Sequence, residues 1–384
     1  MTTEAVNTTN LMNNYGVRTL EMVRGNGAYL YDHEGKEYLD FTAGIAVCNL
    51  GHAHPAVTKA ITRQAATLVH CSNLYTNPEQ IKLAARLAEL SGLDRVFFCN
   101  SGTEANEAAL KLVRKYAAQN GDIQRTKVVS LPNAFHGRTF GSLSITPKPA
   151  YQTGYTPLVP DCITPEKLED IESAIDEHTA ACFVEVIQGE GGVRPVSADL
   201  LMAIQQRCHD TGALFVIDEV QTGVGRTGTF FAYEQLGLNP DVVTMAKGLA
   251  NGVPIGAVLA KEHVAEAFVP GSHGSTFGGN PLATAAANAV VETVANPAFL
   301  EAVTNSGNQL KTALERLGTE VQGRGLMWGM TVEEDAKTFV QKAARQGVLI
   351  TAVGERRVRF VPPLIITETQ IEEMEVRLRA IKDM

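Results

Sequence analysis

Short apolar runs alternate with amphipathic segments through the middle of this 384-residue chain. The runs are rich in β-branched and aromatic residues, and they predict six strands at residues 95–100, 127–132, 182–187, 213–220, 241–246 and 255–260. Helical periodicity lies between most of them, for example over residues 103–118 and 198–210. Apolar strands separated by helices predict an α/β fold with a mostly parallel central sheet that is covered on both faces.

The two ends of the chain have a different pattern. Residues 27–41 alternate with period two around a turn sequence, which predicts an antiparallel hairpin. Beyond about residue 285, helical segments flank short apolar runs in an α+β pattern. We therefore expect a large domain and a smaller α+β domain formed by both termini, with the boundaries 56–285 for the large domain and 1–55 with 286–384 for the small one.

Composition and charge narrow the class of protein. The chain is 45% hydrophobic and 20% charged, which is ordinary for a globular protein. Its formal net charge of -9 leaves no basic surplus to neutralise phosphates, so we expect no nucleic-acid partner. The six cysteines have no spacing typical of zinc, which predicts reduced thiols and no metal. A polar N-terminus and the lack of an apolar run of about 18 residues predict a soluble, cytoplasmic protein without a membrane partner.

Lys247 stands at the end of a predicted buried strand and is followed at once by small residues. Burial lowers a lysine pKa by up to ~3–5 units, which corresponds to about 4–7 kcal/mol. A lysine whose ammonium reaches solvent is the ordinary interpretation of such a position. The alternative is a catalytic amine. The residues at the neighbouring strand ends distinguish between these two interpretations.

Two further strand ends carry matching chemistry. Residues 100–103 run from a strand into a predicted helix, and their hydroxyls and backbone N–H groups form either a phosphate site or an ordinary helix cap. Asp218 ends the strand before that of Lys247, so both side chains are expected at the same crevice, outside the carboxyl ends of the strands. A lysine that forms a Schiff base, an acid for the pyridinium nitrogen and a phosphate site together are what a protein contributes to pyridoxal phosphate chemistry.

A fourth strand end is followed by Phe135, His136 and Arg138. Phe135 is suited to stack on a flat ring and Arg138 to bind a substrate carboxylate, although structural roles are common for both residue types. We interpret His136 as a packing or hydrogen-bonding residue. Residues 223–228, GVGRTG, match the dinucleotide-binding pattern, but no long amphipathic helix follows, so a nicotinamide-binding function is the weaker alternative.

Seven stretches of the sequence together resemble the pyridoxal-phosphate aminotransferases of fold type I, in the class III group that includes the ornithine and acetylornithine enzymes. They are NSGTEANEAALKLVRK, AFHGRT, VIQGEGGV, IDEVQTGVGRTG, MAKGLANGVPIGA, HGSTFGGNPLA and VRFVPPLIIT, and the similarity runs from about Tyr15 to the C-terminus. It implies fold type I, pyridoxal 5'-phosphate as cofactor and a homodimer with shared active sites.

The same resemblance implies a reaction. We expect transfer of the amino group of N2-acetyl-L-ornithine to 2-oxoglutarate, giving N-acetyl-L-glutamate 5-semialdehyde and L-glutamate, as in arginine biosynthesis. Sister activities on ornithine, succinylornithine, succinyldiaminopimelate or 4-aminobutyrate stay open, because the walls of the pocket decide the choice of substrate. A nicotinamide-dependent oxidoreductase and a non-catalytic binding protein are the alternatives from other classes.

Site residues follow from the resemblance position by position. Lys247 is implied to carry the cofactor as a Schiff base and Asp218 to pair with the pyridine nitrogen. The remaining implied cofactor-binding residues are Gln221 at the ring hydroxyl, Phe135 on the ring face, and Ser101, Gly102, Thr103 and the partner subunit's Thr276 at the phosphate. The implied substrate-binding residues are Arg138, Ser275, Glu190, Arg359 and Tyr15.

Glu190 and Arg359 are implied to form a charge pair that serves two substrates. With Glu190 neutralising Arg359, the pocket prefers an ω-amine beside the ring while Arg138 holds the distant α-carboxylate. When glutamate enters, Arg359 is released to take its α-carboxylate and Arg138 takes the side-chain carboxylate. The pair is therefore a hypothetical switch between two specificities.

Overall fold

The computed structural model describes residues 10–381. The strands are β1 (Met22–Asn26), β2 (Tyr29–Asp32), β3 (Glu37–Asp40), β4 (Arg95–Cys99), β5 (Lys127–Ser130), β6 (Cys162–Ile163), β7 (Thr179–Val184), β8 (Ile187–Gln188), β9 (Arg194–Pro195), β10 (Leu214–Asp218), β11 (Val242–Met245), β12 (Gly256–Ala260), β13 (Thr319–Arg324), β14 (Met327–Thr331), β15 (Val348–Leu349), β16 (Thr351–Ala352) and β17 (Arg357–Phe360).

The helices alternate with these strands through the middle of the chain. They are α1 (Ala43–Ala46), α2 (Pro55–Ala65), α3 (Pro78–Ser91), α4 (Gly102–Gln119), α5 (Phe140–Ser144), α6 (Pro149–Gln152), α7 (Ile171–Ala174), α8 (Ala198–Thr211), α9 (Glu262–Ala265), α10 (Pro281–Val294), α11 (Pro297–Glu315), α12 (Ala336–Arg345) and α13 (Glu368–Arg379). Short 3-10 turns lie at Asn13–Tyr15, Leu168–Asp170, Ala232–Leu236 and Lys247–Ala250.

A seven-stranded sheet in the order β4-β12-β11-β10-β7-β5-β6 forms the centre of the fold. Strand β12 runs antiparallel to both of its neighbours, and the other neighbouring pairs are parallel. Strands β7, β10, β11 and β12 are buried throughout, because two separate apolar clusters cover the two faces of the sheet. The predicted α/β fold with a mostly parallel central sheet is confirmed.

Helix α4 begins directly after β4, at the carboxyl end of that strand. Its buried positions include Ala105, Ala109, Leu112 and Val113, a helical spacing that turns one apolar face to the sheet. The Ser101 side chain caps the first turn by accepting a hydrogen bond from the backbone N–H of Glu104. The helix therefore starts with free backbone N–H groups at the edge of the sheet where ligands bind.

The terminal segments form smaller sheets, and one of these combines both ends of the chain. Strands β2 and β3 are the predicted hairpin, and β3 also pairs in parallel with β15 from the C-terminal part. A second sheet has the order β13-β14-β17-β16. The domain boundaries at residues 55/56 and 285/286 stay a prediction. No helix within residues 10–381 is long and apolar enough to cross a membrane.

One predicted strand differs from the structure. The apolar run at 182–187 was expected to be continuous, but β7 ends at Val184 and β8 begins at Ile187 as part of a separate two-stranded sheet with β9. The chain leaves the central sheet at Glu185, whose carboxylate accepts a hydrogen bond from the backbone N–H of Phe135. Apolarity alone does not reveal this break, because Val184 before it and Ile187 after it are both buried.

Candidate active site

A cavity of about 330 Å³ opens at the carboxyl ends of the central strands. Its lining combines the start of α4, the loops after β5 and β10, and the turn after β11. The sequence-predicted residues among those that line it are Ser101, Gly102, Thr103, Phe135, Arg138, Asp218, Gln221 and Lys247. Four strand ends that are far apart in the sequence therefore meet in one pocket.

Lys247 lies in the 3-10 turn that follows β11 and has a left-handed backbone, with φ of 42°. This conformation is uncommon for a residue other than glycine, and residues held in this way cluster at functional sites. Burial lowers the pKa of the Lys247 amine to about 8, although the charge of Glu190 opposes the shift. A substantial neutral fraction of the amine is therefore present near pH 8, as a nucleophile or base requires.

Asp218 is 4% exposed and is held from three directions. Its Oδ2 accepts hydrogen bonds from Asn106 Nδ2 at 2.8 Å and pairs with His136 Nδ1 at 2.7 Å, while its Oδ1 accepts from the backbone N–H of Val220 at 2.9 Å. Burial alone would lower the pKa of His136, but the hydrogen bond and charge of Asp218 raise it above its usual value. The Asp218 carboxyl group is thus fixed in place in the cavity lining, where it can pair with a cationic group.

The N-terminus of α4 forms the opposite end of the cavity. Its 18 residues align their peptide dipoles so that the first backbone N–H groups, at Gly102 and Thr103, attract anions. A Cβ atom at Gly102 would lie 2.6 Å from Val220 Cγ1, so the backbone approaches its neighbours as closely as glycine permits. Thr103 Oγ1 accepts hydrogen bonds from the backbone N–H groups of Arg138 and Thr139 at 3.1 and 3.2 Å, which joins this turn to the loop after β5.

Phe135 lines the cavity between these two ends. Its backbone N–H donates to Glu185 Oε2 at 3.0 Å, which fixes the start of the loop that carries Arg138. Burial raises the pKa of Glu185 to about 7, and the nearby positive charges of His136 and Lys247 limit the increase. An aromatic face therefore borders the cavity beside an ionisable carboxyl group.

Arg359 is 1% exposed and ends in the same region from β17. Its Nη1 donates to Glu190 Oε1 at 2.5 Å and to Gln221 Oε1 at 3.0 Å, and its Nε donates to Thr351 Oγ1 at 3.2 Å. Burial raises the pKa of Glu190, but the charge and hydrogen bond of Arg359 outweigh it and leave the pKa lowered. The contact with Arg359 thus favours the carboxylate form of Glu190 in the folded protein.

Arg138 is exposed at the rim of the cavity, and its guanidinium carbon lies 3.5 Å from the ring centroid of Tyr151. The Lys148 amine donates to the backbone carbonyl of Glu190 at 2.7 Å. Charged groups therefore adjoin the cavity: Arg138 lines it, while Lys148 and the Glu190–Arg359 pair lie outside the lining, with Arg359 in contact with the lining residue Gln221.

Five of the predicted residues lie outside the cavity lining of this single chain. Two of them are Glu190 and Arg359, and Arg359 adjoins the cavity through its contact with the lining residue Gln221. Ser275 Oγ accepts hydrogen bonds from Asn100 Nδ2 and from the backbone N–H of Gly278, so it borders the strand end that leads into α4. Thr276 is exposed on the same loop, and Tyr15 is 77% exposed in the N-terminal 3-10 turn. Their predicted roles stay predictions.

The GVGRTG segment after Asp218 has a structural role. Arg226 is fully buried and donates to the carbonyl oxygens of Leu326 and Pro362 and to Asn49 Oδ1. A short 3-10 turn at Ala232–Leu236 follows, where a dinucleotide site requires a long helix to begin. The geometry therefore does not support nicotinamide binding here.

Several residues at the site were missed from the sequence. Asn106, Glu185, Lys148 and Tyr151 all contact predicted site residues. A signal existed for two of them, because Asn106 interrupts the apolar face of a helix and Glu185 interrupts an apolar strand. Lys148 and Tyr151 lie at the start of and within the four-residue helix α6, which is too short to show a periodic pattern that distinguishes them from surface residues.

These residues fit pyridoxal 5'-phosphate. The cavity offers an anion site at a helix start, an aromatic face at Phe135, a fixed carboxylate at Asp218 and an amine of lowered pKa at Lys247. An apolar ligand would not pair with the anchored carboxyl group of Asp218, and a simple anion would not need the amine of Lys247. The four features match the phosphate, ring face, ring nitrogen and carbonyl of this one cofactor.

The fold and this set of strand-end residues define an enzyme of pyridoxal-phosphate fold type I. The family model described as Aminotransferase class-III matches residues 12–381, and the chain belongs to that family, whose members use pyridoxal phosphate. It is 50% identical over 378 residues to a protein named acetylornithine aminotransferase from Aquifex aeolicus, covering 97% of this chain and 100% of that one.

Solved structures of similar enzymes agree with this assignment. The ornithine aminotransferase from Toxoplasma gondii ME49 superposes with a TM-score of 0.92 at 33% identity, covering 97% of this chain and 93% of that one. The N-acetylornithine aminotransferase from Stenotrophomonas maltophilia K279a has a TM-score of 0.85 at 36% identity, covering 97% of both chains. The expected fold type, cofactor and transaminase class are confirmed.

Proposed function

We propose that this class III aminotransferase transfers the ω-amino group of N2-acetyl-L-ornithine to 2-oxoglutarate, giving N-acetyl-L-glutamate 5-semialdehyde and L-glutamate, as in arginine biosynthesis. The observation that carries the proposal is the pair of Glu190 and Arg359, whose Oε1 and Nη1 atoms lie 2.5 Å apart. An arginine neutralised beside the reaction centre admits an ω-end that has an amine and no carboxylate, while Arg138 at the rim is free for a distant carboxylate. The identity to proteins named acetylornithine aminotransferase supports the same substrate.

The residues of the chain divide the chemistry between them. Pyridoxal 5'-phosphate, when bound, supplies a carbonyl that condenses with amines and a cationic ring that accepts electrons. Lys247 holds the cofactor through its amine and, as a free amine of pKa about 8, takes the proton from the amino-bearing carbon of the donor. Asp218 holds the proton of the ring nitrogen, and its bonds to Asn106 and His136 keep it oriented.

Substrate exchange uses the two arginines differently. Arg138 binds the α-carboxylate of acetylornithine in one half of the reaction and the side-chain carboxylate of glutamate in the other. Arg359 leaves Glu190 only when glutamate presents its α-carboxylate beside the ring. Gln221, which already accepts a hydrogen bond from Arg359 at 3.0 Å, gives the guanidinium a second acceptor during this exchange.

The proposal includes a homodimer in the cytoplasm. Exposed apolar side chains support it: Leu74, Tyr75 and Phe277 are 84%, 70% and 61% exposed. Asn73 Nδ2 donates to the carbonyl oxygens of Ser275 and Gly278, so the loop of Leu74 and Tyr75 adjoins the loop of Thr276. A second copy covering this surface would bring Thr276 to the phosphate of its partner. Sedimentation at micromolar concentration tests it, since a monomer would contradict the shared site.

The substrate is tested by the half-reaction of the cofactor-loaded enzyme without oxoacid. We expect N2-acetyl-L-ornithine to bleach the visible absorbance of the cofactor faster, at equal concentration, than ornithine, N2-succinylornithine or 4-aminobutyrate, and to release a semialdehyde that is trapped chemically. A higher second-order rate constant with one of the three others would assign the enzyme to that sister activity.

A further inference from the structure

Arg138 is exposed at the cavity rim, yet it is held in one place. Its guanidinium carbon lies 3.5 Å from the centroid of the Tyr151 ring and 5.8 Å from that of Phe135. An exposed arginine normally loses considerable rotamer entropy when it binds a ligand. A guanidinium already stacked on an aromatic face has lost part of that freedom beforehand and keeps its N–H groups available around the edge of its plane.

The Tyr151 ring is itself fixed from two sides. It lies in the short helix α6, whose Gln152 side chain donates to the carbonyl oxygens of Leu143 and Thr146 at 3.1 and 3.0 Å. The ring also packs edge-on against Phe135, with the centroids 6.3 Å apart and the planes at 88°. The face that Tyr151 offers to Arg138 is therefore a rigid surface.

The segment from Lys148 to Tyr151 also contacts the loop of Glu190, which pairs with Arg359. Lys148, three residues before Tyr151, donates to the backbone carbonyl of Glu190 at 2.7 Å. Burial lowers the pKa of Lys148, and the charge of Glu190 opposes that shift. One segment of four residues thus contacts both Arg138 and the loop that carries Glu190, which are the two groups that face opposite ends of the substrate.

We propose that Tyr151 is a positioning residue that gives the enzyme its preference for substrates with a distal carboxylate. The ring holds the Arg138 guanidinium beside the cavity, where the proposed function places the carboxylate that is distant from the reacting amine. The inference rests on the proposed function, in which Arg138 binds that carboxylate. Removal of the aromatic face leaves Arg138 in the protein but takes away its fixed orientation.

Two substrates that differ only in the carboxylate test this role. 5-Aminopentanoate and n-pentylamine carry the same ω-amine on five carbons, and their half-reaction rate constants give a ratio that measures the contribution of the carboxylate. Loss of a cation–π contact predicts that Tyr151→Leu lowers this ratio by roughly 3- to 30-fold, and that Tyr151→Phe restores it. Any effect of Tyr151 on Phe135 and the cofactor cancels, because both amines react at the same cofactor.

A matched control is available in the same loop. Tyr155 is 57% exposed, and Tyr155→Leu should leave the ratio at the wild-type value. A Tyr151→Leu enzyme that binds the cofactor and keeps the wild-type ratio would overturn the role of Tyr151 while leaving the proposed function intact. A wild-type enzyme that does not prefer 5-aminopentanoate would instead overturn carboxylate binding by Arg138, and the inference with it.

Discussion

Replacement of Glu190 by alanine should reverse the preference between the two amino donors. In the wild type, Arg359 Nη1 donates to Glu190 Oε1 at 2.5 Å, and glutamate must break this contact to use the guanidinium. Hydrogen bonds to charged groups contribute about 1.5–3 kcal/mol, and each 1.4 kcal/mol is a factor of ten. Glu190→Ala should therefore accelerate the glutamate half-reaction by roughly 10- to 100-fold in kcat/KM.

The same Glu190→Ala variant should have a lower kcat/KM for acetylornithine than the wild type. Without Glu190, the 1%-exposed Arg359 keeps an uncompensated positive charge beside the position of the ω-amine. Single-turnover kinetics with each donor give the ratio directly, and Glu190→Gln, which keeps an acceptor oxygen without the charge, should give an intermediate value. An unchanged ratio in a Glu190→Ala enzyme that still binds the cofactor would refute the switch.

Three further predictions concern buried ionisable groups and use urea denaturation of the cofactor-free protein. Because burial lowers the pKa of Lys247 from 10.5 to about 8, its charged amine destabilises the fold at pH 7. Lys247→Met should therefore raise the free energy of unfolding by up to about 3 kcal/mol at that pH. This gain should shrink as the pH rises through 8 towards 10.5. Burial raises the pKa of Glu219 from 4.5 to about 8, so the free energy of unfolding of the wild type should fall as the pH rises from 4.5 through 8. For Glu219→Gln the free energy of unfolding should fall clearly less over this range. Parallel curves of this free energy against pH for the two proteins would contradict the reasoning. Burial opposes protonation of His52, but its hydrogen bonds to Asp40 and Cys48 raise its pKa from 6.5 to about 9. The contribution of the protonated ring to the free energy of unfolding is therefore complete below pH 6.5 and is lost as the pH rises through 9. His52→Gln should lower the free energy of unfolding by about 2–3 kcal/mol more at pH 6 than at pH 10, and an equal loss at both pH values would contradict the charged pair.

The central sheet was predictable because its strands are short, apolar and regularly separated by amphipathic helices. That periodicity also located the strand ends, and with them Asp218 and Lys247, since ligands of such sheets bind at the carboxyl edge. The resemblance to a known family then added Glu190 and Arg359, whose contact joins residues 169 positions apart. A local sequence pattern does not predict a contact between residues so far apart in the chain.

Other parts of the site could not be predicted, for physical reasons. Tyr151 contacts Arg138 from the four-residue helix α6, and an element this short has no period from which a contact can be inferred. Glu185 ends β7 because its carboxylate bonds to the backbone of another loop, whereas the surrounding residues are as apolar as a continuous strand would need. Thr276 and Tyr15 are exposed and lie outside the cavity lining, so that their roles stay predictions.

The buried Arg226 has a consequence for how the molecule is made. It lies eight residues after Asp218, and its guanidinium is bonded to the carbonyls of Leu326 and Pro362 as well as to Asn49. During synthesis on the ribosome Asn49 is available to this cation early, but the carbonyls of Leu326 and Pro362 are added long after the turn behind Asp218. A nascent chain should consequently bind its vitamin-derived coenzyme firmly only after Pro362 has been made, so that truncation before residue 326 weakens loading even though every residue of the central sheet is present.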